Sequence, residues 1–196
     1  KVEHEQKIKF EILGIKTPGT YAIPYRVLYK DANYYPFSAP YVASATIGSA
    51  PTRGVNLELN GREFFEPIAF VDGTEISGII ESITTTPLSD IKLEALASTE
   101  FLVQLSQPTS APKLEVGNTS PFNLKISNRS ALPGSEYALI LLVTGTAEGK
   151  HLAEPFYLRL QVISAWKFYR NFLIAAVIAV VVLGFAGLTL KKKKPS

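Results

Sequence analysis

Apolar and polar positions alternate along most of this chain. Ile8, Phe10 and Ile12 alternate with Lys9 and Glu11, and Ile23, Tyr25, Val27 and Tyr29 recur at every second position. The same alternation runs through Val55–Leu59, Phe122–Ile126 and Phe156–Val162. A period of two means a strand with one buried and one wet face. The run YALILLV from Tyr137 to Val143 is apolar on both faces, which predicts a central strand. No stretch before residue 166 has helical periodicity. Pro18-Gly19, Asp72-Gly73 and Pro133-Gly134 punctuate the pattern as turns.

The pattern changes near the C-terminus. Phe172 to Leu190 reads FLIAAVIAVVVLGFAGLTL, without a charge and without a polar face. As a helix it would run roughly 28 Å, close to the thickness of a bilayer's hydrocarbon core. The expected architecture is therefore all-β, Ig-like β-sandwich modules followed by a single C-terminal transmembrane helix. Lys191, Lys192, Lys193 and Lys194 follow the span, against Lys167 and Arg170 before it. This asymmetry predicts a single-pass cell-membrane protein with an extracellular N-terminal region and a cytoplasmic C-terminus. Trp166, Lys167, Tyr169 and Arg170 are placed at the outer interface, and the four lysines at the inner one, facing membrane lipids. The tail Lys193-Lys194-Pro195-Ser196 also fits the KKxx pattern of endoplasmic-reticulum retrieval, if the host is a eukaryote. Ala175, Ala179, Gly184 and Gly187 have the spacing of small residues that lets helices pack closely.

An internal repeat sets the expected domains. Residues 18–44 and 133–164 both open with Pro-Gly and Thr or Ser, continue into a strand, pass a polar turn and end in an aromatic-rich strand. The second copy is preceded by further strand candidates at 55–60, 63–70, 76–84, 89–96, 100–105 and 121–127. The first copy has only 7–12 ahead of it. Residues 50–165 are thus expected to form one Ig-like β-sandwich. Residues 1–49 are expected to be the C-terminal part of another such module, incomplete or completed by another segment, because three strands cannot close a core. An interfacial segment with the helix at 166–190 and a basic cytoplasmic tail at 191–196 complete the plan. Residues 48–54 form a short linker.

Pro18-Gly19-Thr20-Tyr21, the alternating strand after it and the turn Tyr29-Lys30-Asp31-Ala32-Asn33 together resemble the closing hairpin of CARDB-like and S-layer-like Ig modules. The strand, small polar turn and strand of Ser82–Leu93 are similar to them too. The resemblance covers residues 1–165 and the C-terminal segment. It implies a membrane-anchored extracellular structural or binding protein that presents Ig-like modules at the cell surface, for surface-layer anchoring, adhesion or docking. The alternative is a single-span accessory subunit of a membrane complex, such as a transporter, a respiratory oxidase or glycosylation or translocation machinery.

Charge and composition narrow the partners. Of 20 Lys and Arg, 14 lie before residue 166 and face all 17 Asp and Glu, a net of −3. That region has no basic patch, which argues against nucleic acid. Other surface or membrane-complex proteins are the expected partners, and a homo- or hetero-oligomer stays open. The chain has no cysteine, so its core must hold without disulfides. It has no methionine either, which suggests a removed leader or a longer upstream region.

Little in the sequence points to catalysis. His4 and His151 stand apart from acid clusters and metal-spaced motifs, and Asp72-Gly73-Thr74-Glu75 reads as a hairpin turn, with calcium as the alternative. No catalytic residue, metal or cofactor is expected, and the chain is read as a non-enzyme. Two N-x-S sequons, at Asn118 and Asn128, fall at turns and are candidate glycosylation sites. Tyr25, Tyr29, Tyr34, Tyr35, Phe37 and Tyr41 form the densest aromatic group. They are expected to pair across a hairpin, and they are candidate contacts for a protein partner.

Overall fold

The computed structural model describes residues 9, 11, 14–52, 54–60, 68–70, 74–106, 110–163 and 165–191, with the backbone alone at 68–70, 110–112, 165–168 and 184–191. Among the described residues eleven strands are followed by one helix: β1 (Gly19–Lys30), β2 (Pro36–Ile47), β3 (Val55–Leu59), β4 (Ile68–Phe70), β5 (Thr74–Ser82), β6 (Leu88–Ala97), β7 (Phe101–Ser106), β8 (Ser110–Leu114), β9 (Thr119–Asn128), β10 (Glu136–Ala147), β11 (Lys150–Val162) and α1 (Ala165–Lys191). The expected strand at 7–12, His4, Asp72-Gly73 and Lys192–Lys194 lie outside the described residues, apart from positions 9 and 11.

Two sheets face each other. One runs β3-β5-β9-β7 and the other β2-β1-β11-β10-β6-β8, with β4 also pairing β11. Setting aside β1, β2, β4 and β8, the strand order reproduces the constant-type Ig plan of one four-stranded and one three-stranded sheet. The short parallel contact of β4 with β11 at Leu160–Val162 gives the second sheet part of an edge cover. Alternation decides what is buried. Leu57, Ile76, Ile80, Phe122, Leu124 and Ile126 point from one sheet into a common core with Ile91, Leu93, Leu139, Leu141, Val143, Leu158 and Leu160 from the other. The turn between β10 and β11 has two residues, Glu148 and Gly149, at φ 55° and 69°. Positive φ at both matches the hairpin geometry that suits the twist of the strands.

The transmembrane part of the expected architecture is corrected here. Among the described residues no helix is long and apolar enough to cross a membrane. On α1 the side chains are described for residues 169–183. Those side chains are exposed, from Tyr169 and Arg170 through Phe172 to Leu183. The single C-terminal transmembrane helix is therefore not supported.

The described strands of the N-terminal block join the sandwich of this same chain. β1 and β2 form an antiparallel hairpin in continuous register from Gly19↔Ile47 to Lys30↔Pro36. Its base is fastened by one parallel pairing, Gly19↔His151, and by the His151 N–H donating to the Pro18 carbonyl at 2.8 Å. A Cβ on Gly19 would stand 2.1 Å from the His151 carbonyl oxygen, and its φ is 142°, so only glycine fits this junction. Beyond it β1 leaves β11, and the hairpin crosses the outer face of the sheet. Ile140 and Leu142 on β10 are buried yet stand on the opposite face from the core residues Leu139, Leu141 and Val143. Leu96, paired with Ile140 in the register, lines a cleft with Pro24, Tyr25, Arg26 and Pro40 of the hairpin. The Arg26 guanidinium donates to the Ala97 carbonyl at 3.1 Å. The two-sided apolar character of residues 137–143 thus has its cause in a third layer.

Candidate functional site

The hairpin tip and the end of the sandwich line an open cavity. Asp31 builds the tip: its carboxylate accepts the N–H groups of Asn33 and Tyr35, both at 2.8 Å, while its carbonyl accepts from the Tyr34 N–H at 3.0 Å. Two ring pairs brace the strands. Tyr25 stacks on Tyr41 with centroids 5.6 Å apart, and Tyr29 stacks on Phe37 at 5.5 Å. Both pairs are directly opposite in the register, as cross-strand packing requires. Phe37 then reaches the end of the core, 6.2 Å from the Tyr137 ring, and Tyr137 meets Phe101 edge-on at 5.0 Å. The Tyr35 hydroxyl donates to the Ser130 carbonyl at 3.1 Å. Of the six aromatic candidates, five are therefore engaged in ring contacts. Tyr34 is different: it is 82 % exposed and held at φ 62°.

Against the tip lies the turn between β6 and β7. Glu100 in this turn is only 4 % exposed. Its carboxylate accepts the Ser38 N–H at 3.1 Å and the Ser38 hydroxyl at 3.1 Å, with a long contact to the Thr99 hydroxyl at 3.4 Å. The Ser38 hydroxyl oxygen in turn accepts the Thr99 N–H at 2.7 Å. The Glu100 carbonyl accepts from Arg129 and Ser130. A cavity of about 550 Å³ opens here, floored by Ser38, Thr99, Glu100 and Ser130 and walled by Leu28–Lys30 and Tyr35–Phe37. The Tyr137 hydroxyl accepts the Leu132 N–H at 2.8 Å. Its pKa is raised, mainly by burial and in smaller part by the Glu100 charge.

Two further acids clamp the far end. Glu148 accepts from the Thr85 hydroxyl, from Thr52 at 3.2 Å and from Lys150 at 3.3 Å, and these bonds, Thr85's first, lower its pKa. The Lys150 ammonium also donates to the Ala50 carbonyl at 3.2 Å, so the linker at 50–52 is tied to the β10–β11 turn. Glu154 accepts the Val55 N–H at 3.0 Å, and burial raises its pKa. A raised folded pKa contributes stability that is full at acid pH and is lost as pH rises through the folded value. Glu154→Gln keeps an acceptor for Val55 but cannot ionise. Its melting temperature is expected to match the parent at about pH 3.5 and to exceed it at about pH 7. Melts at both pH values check this, and a constant offset would contradict it.

The remaining sequence candidates are scattered. Asn118 is exposed in the turn before β9. Asn128 is half-buried and closes its own turn, donating to the Ala131 carbonyl at 3.2 Å and accepting the Ala131 N–H at 2.7 Å. His151 lies on β11, stacked on Tyr21 at 4.3 Å with its Nδ1 2.8 Å from the Thr20 carbonyl. Among the described residues no group of three or more His, Asp or Glu is placed to hold a metal. Glu100 was missed by sequence reasoning. A single acid in a Ser-Thr-Glu turn looks solvated until β2 is laid over it.

The fold and site define an Ig-like β-sandwich carrying an extra aromatic hairpin. No family model matches the chain, and no curated protein does. Similar solved structures include the E. coli chaperone DraB, at 16% identity and TM-score 0.33 over 56% of each chain. The periplasmic chaperone SfaE is 12% identical, at TM-score 0.34 over 57% of this chain and 58% of its own. E. coli alpha-2-macroglobulin is 15% identical, at TM-score 0.39 over 74% of this chain and 8% of its own. The chain thus spans little more than half of either chaperone and a small part of the macroglobulin. TM-scores this far below 0.5 bear on neither partner nor activity.

Proposed function

We propose that this protein is a non-enzymatic binding module that docks a protein partner through the tip of the β1–β2 hairpin. The observation that carries this reading is Tyr34. An L-residue at φ 62° is strained, and a tyrosine there forgoes the ease that glycine or asparagine would bring. The ring is spent on solvent, beside the half-exposed Tyr29 and the exposed Leu28. Exposed tyrosine next to a cavity is the composition of an interaction hot spot. The cell-surface setting, and the resemblance to S-layer-like and CARDB-like modules, belong to the same proposal, supported by the open Asn118 sequon.

A photo-crosslinking residue placed at Asn33 is expected to trap one defined protein in living cells. The same residue at the exposed Val116, remote from the tip in the turn before β9, is expected to trap none. Tyr34→Ser should remove the crosslink while leaving stability within about 0.5 kcal/mol. Equal trapping from both positions would sink the reading. A second reading, an accessory subunit of a larger complex, draws on the exposed apolar side chains of α1, which packing against other chains would cover.

A further inference from the structure

We propose that the pocket under the hairpin tip takes a cationic side chain, lysine or arginine, from an extended segment of the partner. This rests on the reading of the tip as a docking site and names the chemistry it selects. Glu100 lines the cavity and is buried, and its carboxylate has neutral donors alone around it: the Ser38 N–H and the Ser38 and Thr99 hydroxyls. Among the described residues no ion pair reaches it. Lys30 lines the same cavity and Arg129 lies next to the turn, yet neither is within salt-bridge distance of the carboxylate. A buried carboxylate is costly without a paired cation, so the site is electrostatically incomplete.

The walls fit the same guest. Tyr29, Tyr35 and Phe37 line the pocket, aromatic rings of the kind that attract a cation, and Leu28 offers apolar surface for an aliphatic stem. An apolar guest would strip the remaining water from Glu100 and give nothing in return. An anion would be repelled. At about 550 Å³ the cavity exceeds one lysine side chain and leaves room for the flanking residues of a peptide. The region before residue 166, with a net charge of −3, favours the approach of a cationic partner. Lys30 at the rim is the internal competitor, since its flexible stem could swing inward when the pocket is free.

The test uses the full chain and blocked nine-residue peptides of alternating valine and threonine, with lysine, arginine, norleucine or glutamate at the centre. Titration is followed by amide chemical shifts at residues 28–38 and 98–101. The lysine or arginine peptide is expected to bind at least about tenfold more tightly than the norleucine peptide, and the glutamate peptide most weakly. Glu100→Gln should erase that preference. Lys30→Met should tighten the lysine peptide. If Glu100→Gln does not fold, the lysine-to-norleucine ratio on the parent chain decides alone. Equal affinity for lysine and norleucine peptides, with shifts at the tip, overturns the cation proposal and keeps the docking site. No shift at the tip with any peptide overturns both.

Discussion

Gly19→Val is expected to release the N-terminal hairpin from the sandwich. Its Cβ would stand 2.1 Å from a backbone oxygen of His151, and a β-branched residue resists φ 142°. Backbone cannot give way as a flexible side chain can. Among the described residues the Gly19↔His151 pairing is the one strand pairing that joins the hairpin to the rest of its sheet, and the adjoining His151–Pro18 hydrogen bond would be displaced with it. A loss of about 2–3 kcal/mol follows, and with it a melting temperature lower by about 5–10 °C. Amide exchange should rise across β1 and β2 while β5, β9 and β10 keep their protection. Uniform loss across all strands would mean that the hairpin and sandwich unfold as one unit.

Ile140→Asn is expected to cost about 3 kcal/mol or more, the scale of losing a buried branched side chain and stranding an amide in its place. Ile140 is fully buried, but not in the sandwich core, and its register partner Leu96 lines a cleft with Pro24, Tyr25, Arg26 and Pro40 of the hairpin. In a chain lacking residues 1–49 the same substitution is therefore expected to cost less than about 1 kcal/mol, because the position then faces water. Denaturant melts of the four proteins form a double-mutant cycle, and the coupling measures how much of this burial the hairpin supplies. A cycle with no coupling would place the cover elsewhere.

The candidate site was half legible. The aromatic group at 25–41 stood out by density, and two of its cross-strand pairs are where alternation puts them. The other half of the site, Thr99, Glu100 and Ser130, carries no local signature. Those residues are brought to Ser38 from sixty to ninety positions away, and only the crossing of the hairpin over the sheet makes a solvated turn into a cavity floor. The strand candidate at 63–70 is described only as Ile68–Phe70, while β8, Ser110–Leu114, had no alternation clear enough to mark it.

What the sequence determined by itself is the local conformation of the strands and the identity of the core face. Alternation is a property of neighbours along the chain, and it survives whatever the strand is paired with. It also led to the expectation that the strands of residues 1–49 need a partner surface, since three strands cannot bury their own apolar side. Which surface they take was decided by the tertiary structure alone. The repeat suggested a second module, yet the hairpin instead adds to the edge of β11 at a glycine and lies over Leu96 and the outer face of β10. That choice depends on a close backbone contact and on two apolar faces matching across more than a hundred residues. No periodicity within either segment encodes such a match.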